Sequence, residues 1–519
     1  MADETPRSGW ISRRQLVIFG AAAAGVVAVG ATGSLIAGQG QPPAPQGTAP
    51  ASPGTAPASP ASAPPGAADG WTQPEVLTAT SGILDLDLRV AERDVPLGGQ
   101  TVRMLTYNGT TPGPTLRLRP GGRLRVHLHN DLAEATNLHT HGLRVSGTGN
   151  GDNPFVRVGP GESFDYEIEL PADHPPGVCW YHPHHHGMVA AQIFGGLYGA
   201  ILIETDGAGE AEGAASRAVS PRLAVISDVT VAAGAVATVS QMDRMRGRTG
   251  ETLLVNGQPT PPLRAPAGSA QRIALVNACA SRYLDLRWAG LDARLRGIDT
   301  GARDEPIDRL LLPPGSRADV VFTMPAAETD LVTAAYDRGG MGNGMMGDAA
   351  VVSPEAVVLT LVPDAAMAAP VVSPAASSAD PDLRSRTVDA TRTLTMTMVG
   401  GGGGGGMMGG GGMQFLIDGA AFDPARVDQE VTIGTVEEWT LRNTSPMDHP
   451  FHLHSWPMQV VRAAEGETAG VDVRDVVNVP AGGAVVVRIR FDRFPGRTVY
   501  HCHILDHEDL GMMGVIAAS

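Results

Sequence analysis

The sequence predicts an all-β protein made of three consecutive β-sandwich domains. Alternating runs such as Val126-His127-Leu128-His129 and Val485-Val486-Val487-Arg488-Ile489 have the two-residue period of strands with one buried face. Glycine (66) and proline (41) are frequent among the 519 residues, aromatic residues are scarce, and long helical patterns are not evident, which suits a turn-rich β protein. The third observation is a unit that recurs three times at domain-sized spacing.

The first copy of that unit reads YNGTTPGPTLRLRPGGRLRVHLHN and ends at Asn130. The second, VNGQPTPPLRAPAGSAQRIALVN, ends at Asn277, and a weaker third runs from Ile417-Asp418-Gly419 to VEEWTLRN, ending at Asn443. Each is a turn signal, an extended polar stretch and an alternating strand closed by asparagine. The closing asparagines lie 147 and 166 residues apart, about one compact domain each. Domains are therefore expected at about 71–205, 215–365 and 385–519.

Residues 1–70 stand outside this pattern. Arg13-Arg14 leads into an Ala- and Gly-rich apolar run over residues 16–37, which resembles a twin-arginine export signal. A simple membrane anchor is the alternative, because a run of this length can span a bilayer. Residues 41–70 form a Pro/Ala/Ser-rich linker. The protein is thus expected outside the cytoplasm, in the periplasm or cell envelope or secreted, touching membrane only through this segment if it is not cleaved.

A formal net charge of −16 argues against nonspecific nucleic-acid binding and suits attraction of cations. Three cysteines in 519 residues are not a disulfide framework. Cys179 and Cys279 either pair or remain two buried thiols.

The repeat exposes the chemistry. Nine residues after Asn130 come His139 and then His141; nine after Asn443 come His452 and then His454. The same offsets from Asn277 give Leu286 and Trp288, so the middle domain is apolar there. Tyr181-His182-Pro183-His184 likewise matches Tyr500-His501-Cys502-His503, with proline where the cysteine stands. Four His-x-His pairs result, each expected on one strand face with imidazoles about 6–7 Å apart. Eight imidazoles from two domains suit a polynuclear metal centre at a domain interface. Cys502 alternates to the opposite face, where His449, His507 and Met512 complete a His₂Cys set with a weak axial thioether, the set of a blue-copper site. His185 and His186 lack counterparts in the third domain and read as flanking groups; His127, His129 and His174 read as structural.

The segments HTHG, WYHPHHH, HPFHLH and HCHILDHEDLGMM resemble the four copper signatures of the multicopper oxidases, closest to the three-domain bacterial laccase-like and cuprous oxidases. The resemblance runs from about residue 75 to the end. It implies three Greek-key domains of cupredoxin fold and four copper ions per chain: one type 1, one type 2 and a type 3 pair. His449, Cys502 and His507 would hold type 1 copper with Met512 axial. His139 and His452 would hold type 2. His141, His182, His184, His454, His501 and His503 would hold type 3. It implies one-electron oxidation of a donor coupled to reduction of O₂ to water. A copper nitrite reductase lacks this linkage, and a copper store or carrier needs no trinuclear ligands. The family often places an acid soon after the first His-x-His-Gly and another just past the type 1 histidine. Glu508 fits the second. For the first, a simple count reaches Asn150, and Asp152, two residues on, is preferred.

The signatures do not name the donor. Met407, Met408 and Met413 lie in a glycine-rich insert with Met396 and Met398 just before it, Met341, Met345 and Met346 lie in another, and Met242 and Met245 form a further pair. Thioethers select Cu(I), so a cuprous oxidase with a role in copper tolerance is expected. A laccase acting on phenols and aromatic amines is the alternative, and a non-catalytic copper-binding protein is more remote. Met447 and Asp448, directly before His449, are candidates to hold a donor cation. The chain is expected to act as a monomer.

Overall fold

The computed structural model describes residues 70–204, 221–340, 350–364, 380–400, 413–463 and 466–519. The export-signal segment, Met341, Met345, Met346, Met407 and Met408 lie outside the described residues. Among the described residues the three α-helices are short, Val189–Gly195 (α1), Gln241–Arg246 (α2) and Leu505–Asp509 (α3), and everything else regular is strand apart from one 3₁₀ turn. None of the helices is long and apolar enough to cross a membrane.

The large sheets come in three pairs, each enclosing its own apolar core. The first pair is built from strands between Val76 and Ile203, extended at one edge by the short strands Val231–Ala232 and Ala235–Val236; the second is built from the other strands between Arg222 and Asp364, and the third from strands between Ala390 and Ala518. The alternating strands behave as their period requires. Arg123–Asn130 buries every second side chain, and Ala484–Phe491 does the same.

The structure explains both ends of the repeated unit. Its opening dipeptides Asn108-Gly109, Asn256-Gly257 and Asp418-Gly419 all have positive φ at both residues, which only such sequences adopt cheaply. Each forms a two-residue turn closed by a bridge: Tyr107 to Thr110, Val255 to Gln258, Ile417 to Ala420. Its closing asparagines are staples. Asn130, Asn277 and Asn443 each accept from the main-chain N–H two residues ahead, at Leu132, Cys279 and Ser445. Each also donates from Nδ2 to carbonyls of two further segments, for Asn443 those of Met447 and Val479. The chain leaves each strand in one fixed direction, and in the outer pairs it runs straight into the histidine pairs.

The sandwiches are welded along apolar seams. Trp180, Val189, Ile193 and Ala200 pack with Val225, Ala274 and Val276 of the middle sandwich and with Leu505 of α3. Full burial of one such aliphatic side chain is worth about 1.5–3 kcal/mol. The three cysteines are free and buried; Cys179 and Cys279 sit in different cores, which settles their pairing.

Candidate metal centres

Register places the histidines. In the first sandwich His139–His141 pairs antiparallel with Gly177–His182, so His139 faces His182. In the third, His449–Leu453 pairs antiparallel with Gly496–Cys502, so His452 faces His501 and Phe451 faces Cys502. The two arrangements are equivalent, and they meet. The His139 ring stacks on His454 at 3.9 Å, and His141 on His452 at 3.8 Å. In the middle sandwich Leu286 and Trp288 occupy the corresponding places and are core residues.

All eight cluster imidazoles are buried. Within the pairs the ring centroids lie 5.6, 6.2, 4.9 and 5.7 Å apart, three of them closer than a straight strand would hold them. Three of the four pairs straddle a strand end: the strands stop at His182, Leu453 and Cys502, and the next histidine turns inward. Subsets converge tightly enough to share an ion: His184, His454 and His501; His139, His141 and His182; His139, His452 and His454.

Ring nitrogens divide into held and bare. Asp152 accepts from His139 Nδ1 at 2.9 Å and Asp475 from His141 Nε2 at 3.2 Å. The carbonyls of Pro183 and Asp475 accept from His182 Nδ1 and His452 Nδ1, each at 2.8 Å, and that of Cys502 accepts from His501 Nδ1 at 3.0 Å. The opposite nitrogens, His139 Nε2, His141 Nδ1, His182 Nε2 and His452 Nε2, have no hydrogen-bond partner, nor do His454 Nδ1 or either nitrogen of His503. Buried polar atoms without partners are costly, and a cation supplies the missing partner. Burial drives the pKa of His139, His141, His182, His452, His454 and His503 well below the ordinary imidazole value, with neighbouring imidazoles adding to the effect. Burial likewise holds His184 and His501 down at about 4. The rings are neutral ligands with free lone pairs.

On the other face of the same strand, Cys502 Sγ lies 3.3 Å from His449 Nδ1 and 4.0 Å from His507 Nδ1, and the two Nδ1 atoms are 3.4 Å apart. Their far nitrogens are anchored, His449 Nε2 to the Ser445 hydroxyl at 2.7 Å and His507 Nε2 to the Met245 carbonyl of α2 at 3.2 Å. Met512 is buried in the same cluster, its backbone hydrogen-bonded to both Cys502 and His507. Burial pushes the Cys502 thiol far up, so a thiolate here needs a bound cation beside it. A soft thiolate with two imidazoles suits copper.

Besides Asp475, two carboxylates touch the cluster. Glu508 is fully buried, with Oε2 3.0 Å from His501 Nδ1 and Oε1 3.4 Å from His184 Nε2; burial pushes its carboxyl up to about 7. Asp152 accepts from His139 and from the Thr140 N–H at 2.7 Å, and burial raises it to about 7 as well. Asn150 spends its carbonyl on the Glu167 N–H.

The placement of Met447 and Asp448 corrects the expectation for that pair. Met447 is wholly buried, its carbonyl taken by Asn443. The Asp448 carboxylate accepts from Tyr336 at 2.6 Å, the Ala481 N–H at 2.8 Å and Asn478 at 3.3 Å. Packing and hydrogen bonding occupy both, and neither is open to a cation. His127 and His129 line a strand face beside Asp85, Asp165 and Ser163, His174 is fixed by Arg144 N–H and the Pro175 carbonyl, and His186 lies against Phe422. Sequence reasoning missed Asp475, Asp506 and Asp509, whose partners are distant in the chain or are plain backbone, and Ser445, whose hydroxyl meets His449 four residues on but belongs to no motif.

Two multicopper oxidase family profiles match the chain, over residues 89–208 and 391–519, the segments carrying all the histidines above. The chain belongs to the multicopper oxidase family. As an oxidoreductase of this family it binds copper. Among its relatives is the multicopper oxidase mco of Staphylococcus aureus, 27% identical over 429 residues, 80% of this chain and 84% of that protein. A cell division protein, FtsP of Edwardsiella tarda, is 29% identical over 358 residues, 67% of this chain and 71% of that one. A multicopper oxidase from Campylobacter jejuni, described as a metallo-oxidase, superposes with a TM-score of 0.69 at 29% identity, covering 87% of this chain and 96% of that chain. The three sandwiches of the oxidase are cupredoxin-like.

Proposed function

We propose that this oxidase oxidises Cu(I) outside the cytoplasm, with phenols and aromatic amines as a second class of donor, and that it serves copper tolerance. Bound copper would accept electrons singly at the thiolate site and reduce dioxygen to two waters at the histidine cluster. The chain's residues would divide among four ions: His449, Cys502, His507 and Met512 would hold one; His139 and His452 a second; and the remaining six histidines the other two.

One observation carries the oxidase function. Cys502 Sγ is 3.3 Å from His449 Nδ1, while the Nε2 of its neighbour His501 is 3.1 Å from His184 and 3.3 Å from His454. Adjacent residues on one strand belong to the two centres. A copper store has no use for that linkage. Since a cell division protein is a relative, the complete ligand set supports oxidase activity more directly than similarity does.

The remaining residues exclude water and handle protons. Glu508 sits against ring nitrogens of His501 and His184 and Asp152 against one of His139, and both would deliver protons to the cluster. A narrow cleft beside His139, His452 and His454 shares Arg144, Ser455, Trp456 and Pro457 with a wider outer cleft, offering small molecules a way in.

Cu(I) is favoured as donor by the methionines of the third sandwich. The outer nitrogen of His507 meets the main-chain carbonyl of Met245, and Met245, Met398 and Met413 pack half-buried on the core that contains Cys502. Replacing these three methionines by leucine keeps their bulk and removes the thioethers. Cu(I) turnover should fall at least tenfold while phenol turnover persists; equal losses on both would remove Cu(I) as the intended donor. Copper-loaded protein that consumed no O₂ with either donor would overturn the oxidase function itself.

A further inference from the structure

The middle sandwich holds no histidine of either centre, yet one of its side chains reaches both outer domains. Arg317 opens the strand Arg317–Thr323 and is completely buried. Its Nη1 and Nη2 donate to the two Asp475 oxygens at 2.5 and 2.7 Å. Its Nε donates to the Val178 carbonyl at 3.1 Å, in the strand that delivers His182. Asp299, also of the middle sandwich, accepts from Arg317 N–H at 3.1 Å and from the N–H groups of Asp475 and Val476 at 3.1 and 3.2 Å.

Asp475 is the working end of this clamp. Its Oδ1 accepts from His141 Nε2, and its carbonyl from His452 Nδ1. These two rings are stacked, one from each outer domain, and their opposite nitrogens are bare. A fork of two parallel hydrogen bonds fixes a carboxylate in plane and angle as a single contact does not. The fixed carboxylate keeps the proton of His141 on Nε2 and so leaves Nδ1 bare. The glycine of His-Thr-His-Gly follows from the same geometry. Gly142 has φ +89°, and a Cβ there would stand 2.2 Å from Arg317 Nη2 and 3.1 Å from Asp475 Oδ2. Gly315, two residues before Arg317, has φ +87° and underlies His503, whose ring a Cβ would meet at 2.7 Å.

We propose that Arg317 is a positioning residue for the histidine cluster, acting through Asp475 to set the tautomer and orientation of His141 and His452. The ligand-free domain thereby forms the third wall of the centre. This rests on His141 and His452 being copper ligands.

Arg317→Lys keeps the charge and removes the fork; Asp475→Asn keeps the shape and removes the charge. Both would be made in the full chain and loaded with copper. Copper per chain, the type 2 electron paramagnetic resonance signal, the near-ultraviolet type 3 band, the type 1 blue band and the thermal midpoint would be compared with wild type. Cluster copper should bind about 10–100-fold more weakly, the range for loss of such supporting partners, with altered type 2 hyperfine splitting and an unchanged blue band. Wild-type cluster spectra and affinity in both variants would overturn the proposal. So would blue band and cluster copper declining together with the thermal midpoint, the mark of a merely structural residue. Wild-type protein with a blue band and no type 2 or type 3 signature would instead refute the ligand assignment on which the proposal rests.

Discussion

Arg248 donates from Nε and Nη2 to the two oxygens of Asp506 at 2.9 and 2.7 Å, and its own N–H reaches Asp506 Oδ2 at 3.0 Å. The pair is buried and joins the loop after α2, in the middle domain, to α3. α3 is one turn with four tasks. Asp506 binds Arg248, His507 faces Cys502, Glu508 faces His501, and Asp509 accepts from the N–H groups of Gly187, Val189 and Ala190 at the start of α1.

Removing one partner of a buried pair costs about 3–5 kcal/mol where the other charge is left uncompensated; here Arg244 Nε, 3.6 Å from Asp506 Oδ1, would retain part of the compensation. Arg248→Met is therefore expected to lower the urea midpoint clearly. It should also perturb the blue band, because α2 supplies the carbonyl that orients His507. A midpoint within about 0.5 kcal/mol of wild type, the range of ordinary surface changes, would show that α3 does not depend on this tie.

Cys502→Ser separates the two centres. Serine offers a hard oxygen where copper needs soft sulfur, while His501 and His503 project from the other face and keep their surroundings. The variant should lose its blue absorption and its O₂ uptake with every donor. The type 2 resonance signal should persist. Disappearance of that signal as well would mean that the cluster cannot form without the thiolate site.

The histidine pairs were legible because duplication printed them twice: the offsets from Asn130 and Asn443 are equal, and the strand register makes His139–His182 and His452–His501 equivalent contacts. The turns and staples of the repeat were legible for the same reason, each being a local backbone device with a sequence signature. Long-range ion pairs carry no such signature. Arg317 lies 158 residues from Asp475 and Arg248 lies 258 from Asp506, and an arginine at either place reads as a solvated strand or loop residue. Met447 was misjudged because proximity in sequence to His449 says nothing about which way the chain faces; the Asn443 staple turns it into the core. Asp152 was harder than Glu508 because a count along the chain cannot see that the loop folds back to place its carboxylate under His139.

Asp152 is the acid that counting alone would have missed, and its contacts set what its loss should do. Both oxygens lie within 3.0 Å of His139 Nδ1, and Oδ1 also takes the Thr140 N–H. Asparagine retains one oxygen and fills the same space, so the fold should survive. A weaker hold on His139 is expected to cost about 10–100-fold in oxygen-reduction rate. Steady-state O₂ uptake at saturating donor, with copper content measured on the same sample, tests this. An unchanged rate would exclude Asp152 from proton delivery.

The last expectation concerns acid. Arg493 of the third domain donates from both Nη atoms to the two oxygens of Asp173 in the first, each at 2.8 Å, at the rim of the outer cleft. Hydrogen bonds from the guanidinium hold the Asp173 carboxyl down at about 2, against about 3.9 in an unfolded chain. A depressed folded pKa means the pair stabilises fully above the unfolded value and loses that contribution as pH falls toward 2. The side chains are 69% and 38% exposed, so solvent screening limits the effect to about 1 kcal/mol or less. Asp173→Asn should accordingly differ from wild type by a small constant amount in urea midpoint from pH 7 to 5. The difference should narrow as pH falls from 5 to 3, and salt should shrink it at every pH. A gap that widened in acid would mean that Asp173 is stabilised by something other than the Arg493 charge.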